Sequence, residues 1–166
     1  MTHATETDDV FQRLIELAQE TGVMLGTAES VTGGQLAHLI ARQPGAGDVL
    51  AGAVVAYQTA VKQDLLDVPV GPVVSHRAAQ AMAIGARRLL GCDLVVSITG
   101  VAGPDPQDGQ PIGCVYIGVV LRDEAATSRR YVLAGDPDGI RQQATMVAGK
   151  VALGKLRSSA ASLAPS

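Results

Sequence analysis

A serine hydroxyl becomes a nucleophile only when a nearby base takes its proton, so the chemistry of this chain is sought first at serines with polar company. Ser30 is the outstanding one. It lies in TAESVTGG, residues 27 to 34, between Glu29 and Thr32 and ahead of Gly33-Gly34. The apolar run Val23-Met24-Leu25 precedes this stretch and QLAHLIARQ, with helix-like spacing, follows it. Strand, polar turn, helix is the implied layout. The first amides of a helix lack internal partners and carry the positive end of its dipole. The turn is therefore predicted to set a hydroxyl beside anion-binding donors, with two glycines that let backbone approach a ligand closely. The ordinary reading stands beside this one: a serine in such a turn is most often an N-cap, and Glu29 can serve only to satisfy nearby amides.

Two residue types can supply the base. The histidines are His3, His38 and His76; none has an obvious orienting carboxylate, so a Ser-His-Asp arrangement has little support. Lysine is the other candidate, because burial lowers its pKa towards neutrality. Lys150 and Lys155 belong to a C-terminal helical stretch, where a solvated face accounts for them. Lys62 stands alone, five residues after Tyr57 and just past an apolar run at 50 to 57. If that run pairs beside the strand ahead of Ser30, Tyr57 and Lys62 both approach the hydroxyl. Their ordinary readings are a strand-ending tyrosine with its hydroxyl at the surface and an exposed lysine of an amphipathic helix.

A second glycine-rich stretch, ITGVAGPDPQDGQPIG at 98 to 113, contains Thr99, Gly100 and Gly103 and can shape a phosphate or nucleotide pocket through its amides. It is neither GxGxxG nor a P-loop. Asp105 and Asp108 lack calcium-loop spacing, and Cys92 and Cys114 lack metal spacing, so no metal is expected and both cysteines read as reduced, buried thiols. Arg141 is a candidate anion contact or an exposed helix arginine.

The elements that must position these residues come from an unusual composition. Of 166 residues, 47% are hydrophobic and 17% charged, with 19 glycines, one Phe, three Tyr and no Trp. A core of Val, Leu, Ile and Ala suits layered α/β packing. The net charge of −3 and the absence of a basic stripe argue against a nucleic-acid partner. The polar, acidic start is unlike a signal peptide, and no run approaches the ~20 apolar residues of a membrane helix, so no membrane partner and a cytoplasmic location are expected. Apolar spacing predicts a helix from about Asp8 to Thr21, one over 32–43, a short one after Tyr57, a long one from an N-cap at Ser75 to Gly91, and a last one from Asp136 or Asp138 to about Leu156. Strands are predicted near 23–25, at 50–57 buried on both faces, around Val73-Val74, at 93–99, and as an antiparallel hairpin over 113–122 and 128–134. The result is one α/β domain over 8–157: a three-layer α/β/α sandwich with a mixed, mostly parallel sheet and flexible tails at 1–7 and 158–166. Ligands of such sheets gather at the carboxyl ends of the strands.

Three motifs in order, TAESVTGG, GAVVAYQTAVKQDLL and VSITGVAGPDPQDGQPIGCVYIGV, closely resemble the CinA C-terminal domain family, which includes stand-alone nicotinamide-nucleotide amidohydrolases. The resemblance runs from about residue 9 to 157. It implies hydrolysis of the carboxamide of nicotinamide mononucleotide to nicotinate mononucleotide and ammonia without a cofactor, and a homodimer. It also sets Ser30, Tyr57 and Lys62 on the family's catalytic positions: serine as nucleophile, lysine as base, tyrosine assisting. Glu29, Thr32, Gly33, Gly34, Thr99, Gly100, Gly103 and Arg141 are the expected substrate contacts, Gly33 and Gly34 by holding the oxyanion. One departure is plain. Where the family usually reads Tyr-Ser-Asn, this chain reads Tyr57-Gln58-Thr59, which implies weaker or altered activity if the asparagine orients the lysine or touches substrate. Family members are also linked to competence, which makes a binding or interaction domain the competing expectation.

Overall fold

The computed structural model describes the backbone from Thr2 to Leu163 and side chains from Glu6 to Ser162. Five strands form one sheet: β1 (Leu25–Glu29), β2 (Leu50–Val55), β3 (Leu94–Gly100), β4 (Cys114–Leu121) and β5 (Thr127–Val132). Their order is β2-β1-β3-β4-β5. β1 pairs parallel with both β2 and β3, whereas β4 runs antiparallel to β3 and β5. Four strands therefore point one way and only β4 runs against them, so the sheet is mixed and mostly parallel, with the hairpin near its C-terminal end.

Helices cover both faces. On one lie α1 (Thr2–Thr21), α2 (Gln35–Ala41), the short α3 (Ala46–Val49) and the long α6 (Pro137–Leu163). Phe11, Leu14, Ile15 and Ala18 recur at helical spacing along α1 and are all buried, as are Ile140, Ala144, Ala148 and Ala152 along α6. They meet Val96 and Ile98 of β3 and Val115 and Ile117 of β4 in the larger core. Each buried Val, Leu, Ile or Phe side chain among them contributes about 1.5–3 kcal/mol relative to exposure, and each alanine less. On the other face α5 (His76–Leu90) lays Ala79, Met82, Ala83 and Ala86 against the sheet, and α4 (Thr59–Leu66) packs on α5.

This second layer is close because it is built from small residues. A Cβ on Gly118 of β4 would stand 2.5 Å from the Ala79 carbonyl oxygen, so the helix rests nearly on the sheet backbone. The Ser97 hydroxyl donates to the same carbonyl at 2.6 Å. Gly85 does the corresponding work between helices, since a Cβ there would reach within 2.3 Å of the Leu66 carbonyl oxygen.

Several expectations are corrected. Helical backbone starts at Thr2 and runs to Leu163, through most of both expected tails; residue 1 and residues 164–166 lie outside the described part. Asp136 Oδ1 accepts from the Gly139 amide at 2.7 Å and so caps α6. β1 takes in Thr27, Ala28 and Glu29, which were expected in the turn. β2 is not buried on both faces: it is an edge strand, and residues 51, 53 and 55 are exposed. Its small apolar residues read as interior, but a strand with one neighbour keeps one edge and part of a face in solvent. Val73 and Val74 form no strand, and α3 after Pro44-Gly45 was not anticipated.

Gly85→Ala is expected to cost about 1–3 kcal/mol by forcing α5 from α4. Gly154→Ala is the control, since nothing stands within 4 Å of a Cβ at that helical position. The second change should gain about 0.5–1 kcal/mol from helix propensity. Urea unfolding of both variants checks the contrast.

Candidate active site

Three strand ends place the site. Parallel register aligns Glu29 of β1 with Val55 of β2 and Ile98 of β3. The ladder continues one step past the strands: the Ala56 amide donates to the Glu29 carbonyl at 2.8 Å, and the Ser30 amide to the Ile98 carbonyl at 3.0 Å. Ser30, Tyr57 and Thr99 thus emerge side by side at the carboxyl edge. From there the connection after β1 leaves on the α2 face and the one after β2 leaves for α4 on the α5 face, and a crevice opens where they part.

That crevice is a small cleft of about 100 Å³. Ser30, Val31, Tyr57, Lys62, Val73 and Val74 line it together with the stretch Thr99–Gly103, Asp105 and Gln107. The expected trio therefore meets at one site. His38 and His76 do not line it; His76 instead packs edge-on against Tyr116 with ring centroids 4.7 Å apart.

Lys62 is 2% exposed, although it sits on a helix whose neighbours Val61 and Leu65 face solvent. Its amine donates to the Tyr57 carbonyl at 2.7 Å. Burial away from water lowers its pKa below that of an ordinary lysine, and the Asp108 carboxylate opposes that shift. An amine of this kind gives up its proton more readily than a surface lysine. Once neutral, it can keep its N–H bond to the Tyr57 carbonyl and still offer a lone pair. The Tyr57 ring is 60% exposed at the mouth.

The first glycine turn works differently from its sequence-based reading. Glu29 is 0% exposed, and its carboxylate collects five donors. Oε2 accepts from the Thr32 hydroxyl at 2.7 Å and from the amides of Gly34 and Leu36 at 3.1 Å each; Oε1 accepts from the Thr27 hydroxyl at 3.2 Å and the Ala37 amide at 2.8 Å. The orphan amides of α2 already hold an anion, and it is the protein's own. Gly33 (φ 59) and Gly34 (φ 104) take left-handed conformations that swing α2 over this carboxylate. The Gly33 amide is bound to the Ser30 carbonyl at 3.0 Å. Glu29, Thr32, Gly33 and Gly34 are therefore structural supports of Ser30, and none of them lines the cleft.

Of the other expected contacts, Thr99, Gly100 and Gly103 line the cleft. The Thr99 hydroxyl is already donated to the Val73 carbonyl at 2.7 Å. Arg141 does not line the cleft; it braces the turn from behind, donating Nε–H to the Val31 carbonyl at 3.2 Å and Nη1–H to Asp138 at 2.9 Å. Two lining residues missed in the sequence, Val31 and Ala102, have amides with no acceptor among the described residues. Such unpaired amides are rare. A signal for the first existed: the amide following a nucleophilic serine often faces the reacting oxygen.

The Gln58-Thr59 departure also finds its place. Gln58 is the N-cap residue of α4 and makes no side-chain cap bond, and neither it nor Thr59 lines the cleft. A serine at the cap would satisfy an α4 amide, so the departure weakens the start of the helix that carries Lys62.

With this geometry in view, comparison with known proteins is decisive. The model of the CinA C-terminal domain matches residues 7–156. The chain belongs to the CinA C-terminal domain family. A competence-damage inducible protein of Geobacillus kaustophilus is 38% identical over 139 residues, covering 81% of this chain and 34% of the relative. A CinA-like protein of Synechococcus is 38% identical over 156 residues, covering 90% and 36%. The chain thus spans about a third of the length of these curated relatives. The solved CinA superfamily protein of Klebsiella pneumoniae superposes with a TM-score of 0.87 at 30% identity, over 92% of this chain and 98% of that one. CihA, a competence/damage inducible protein of Agrobacterium tumefaciens, gives 0.83 at 27% identity, over 89% and 95%. The five-stranded mixed sheet with helices on both sides is the architecture of this CinA domain. No helix among the described residues is long and apolar enough to cross a membrane.

Two outcomes test the assignments of support and departure. Glu29→Ala strands three amides and two hydroxyls, and is expected to cost about 3 kcal/mol or more in urea unfolding. Gln58→Ser is expected to add about 0.5–1 kcal/mol, seen as slower amide exchange in the first turn of α4.

Proposed function

We propose that this CinA-family chain is an amidohydrolase that cleaves the carboxamide of nicotinamide mononucleotide to nicotinate mononucleotide and ammonia. The observation that carries the reading is the joint presence in one cleft of Ser30 and the buried Lys62 with its lowered pKa. A structural lysine has no need of that place, because burying an amine costs free energy that a methylene chain would not.

In this mechanism Ser30 Oγ attacks the carboxamide carbon while its proton passes to the neutral Lys62 amine. The carbonyl oxygen becomes an oxyanion facing the amides of Val31 and Ala102, each contact worth about 3 kcal/mol of barrier. The tetrahedral intermediate collapses, Lys62 returns the proton to the departing nitrogen, and ammonia leaves an acyl-Ser30 ester. Water then attacks the ester, giving its proton to Lys62, and the carboxylate departs as Ser30 is reprotonated. The exposed Tyr57 ring at the mouth and the Asp105 carboxylate on the opposite rim suit a pyridinium, which is cationic. The reading places the chain in pyridine-nucleotide recycling in the cytoplasm.

A second reading has one observation in its favour. Val55, Tyr57, Val61 and Leu65, on β2, α4 and the turn between them, are all exposed apolar or aromatic residues near the cleft, as befits a surface that binds a partner.

Ammonia release from nicotinamide mononucleotide separates the two. The wild type should turn over, Ser30→Ala should not, and turnover should rise with pH through the lowered pKa of Lys62 as its amine loses a proton. Lys62→Met is expected to abolish release while leaving urea stability equal or higher, because the desolvation cost goes with the amine. Ammonia release at wild-type rate by either variant rejects the mechanism, and an inactive wild type favours the partner-binding surface.

A further inference from the structure

One side chain ties the tip of the second glycine loop to the segment before α5. At its tip Gln107 and Gln110 exchange backbone hydrogen bonds, 3.2 Å and 2.8 Å, around Asp108-Gly109. Both central residues have positive φ, 52 and 73. This is a two-residue hairpin turn of the kind Asp-Gly favours. The Asp108 carboxylate then leaves its own loop: Oδ2 accepts from the amides of Val73 at 2.7 Å and Val74 at 2.9 Å. Val73 is fastened at both ends, since its carbonyl takes the Thr99 hydroxyl. Val73, Val74 and Gln107 all line the cleft, so this bond joins two of its walls.

We propose that Asp108 is a positioning residue of the site, the carboxylate that latches the 101–112 loop onto the 72–75 segment and stands as the counter-charge to Lys62. The proposal rests on the amidohydrolase reading for its kinetic consequence alone. Asp108 favours the protonated amine while burial favours the neutral one, so the acid limits how readily Lys62 loses its proton. The other titratable groups around Lys62 are the Tyr57 phenol and the Asp105 carboxylate in the same cleft, and the exposed Asp64 and Asp67 on its own helix. From α5, Arg88 pairs with Asp67 at 2.5 Å. Asp108 alone combines a charge felt by Lys62 with hydrogen bonds to the cleft wall.

The test uses Asp108→Asn and Asp108→Ala in the full chain. Asparagine keeps an oxygen that can accept both amides but carries no charge; alanine removes both. Three quantities are measured: kcat and KM for ammonia release across pH, the pH midpoint for Lys62 acylation by an amine-reactive reagent mapped by peptide mass spectrometry, and hydrogen exchange of the peptide holding Val73 and Val74. Asp108→Asn should move the acylation midpoint and the acid limb of kcat/KM down by at least about half a pH unit, with KM near wild type. Asp108→Ala should show the same downward shift, a several-fold rise in KM and faster exchange at Val73-Val74. Midpoints equal to wild type in both variants overturn the counter-charge role. Wild-type exchange and KM in the alanine variant overturn the latch. A wild type that acylates and exchanges as described but releases no ammonia rejects the amidohydrolase reading, and the acylation and exchange results still decide the role of Asp108.

Discussion

The buried carboxylate of Glu29 is the constraint on which the site depends. A fully buried charge is costly unless it is met by donors, and here five donors from the end of β1, the glycine turn and the first turn of α2 converge on it. None of these groups has another good place to go. The amides need an acceptor because they begin a helix, and the carboxylate needs donors because it ends a central strand. Their mutual satisfaction sets the path of residues 30–34, and with it the position of the Ser30 hydroxyl. Positive charge at the helix start is thereby spent inside the protein and is not offered to the cleft.

A second level of control comes from the sheet order. Because β1 lies between β2 and β3, the ends of three parallel strands reach the same edge, and segments far apart in the chain, at 30, 57–62 and 99–103, share one cleft. Small residues make this workable. α5 sits on Gly118 of β4 through Ala79, α4 sits on α5 at Gly85, and Lys62 of α4 is buried with little room for water. Burial of that amine is a property of packing two layers away from it.

Much of this was legible in the sequence, and the failures have physical causes. Helical spacing located α1, cap and stop residues located α5 and α6, and two strand-like runs about a charged turn located the β4–β5 hairpin, although β4 is buried along its whole length. The trio of Ser30, Tyr57 and Lys62 was legible because their motifs follow two strand-like runs that were expected to pair side by side, as β1 and β2 do. The partners of Glu29 were not foreseen as a set: its acceptor role was visible, but not that all the helix-start amides would be consumed by it. β2 was misjudged because Leu-Ala-Gly-Ala-Val-Val has the composition of an interior strand, while its edge position is settled by topology. Asp108 was passed over although Asp-Gly announced a turn, since its targets at Val73 and Val74 lie 35 and 34 residues away. Local sequence encodes the turn and is silent on what the turn reaches.

The backbone contact at Gly118 has one more consequence. Where Ala79 meets Gly118, backbone lies against backbone with no side chain to change rotamer, so that point of contact cannot absorb a differently shaped ligand by repacking. The wall of the cleft built on the α5 layer is stiff. Any adjustment of the cleft must then fall to the loop from Val101 to Ile112, which lies outside the helices and strands. Family members whose clefts differ in shape should differ in the length and proline content of that loop while keeping the small-residue layer unchanged.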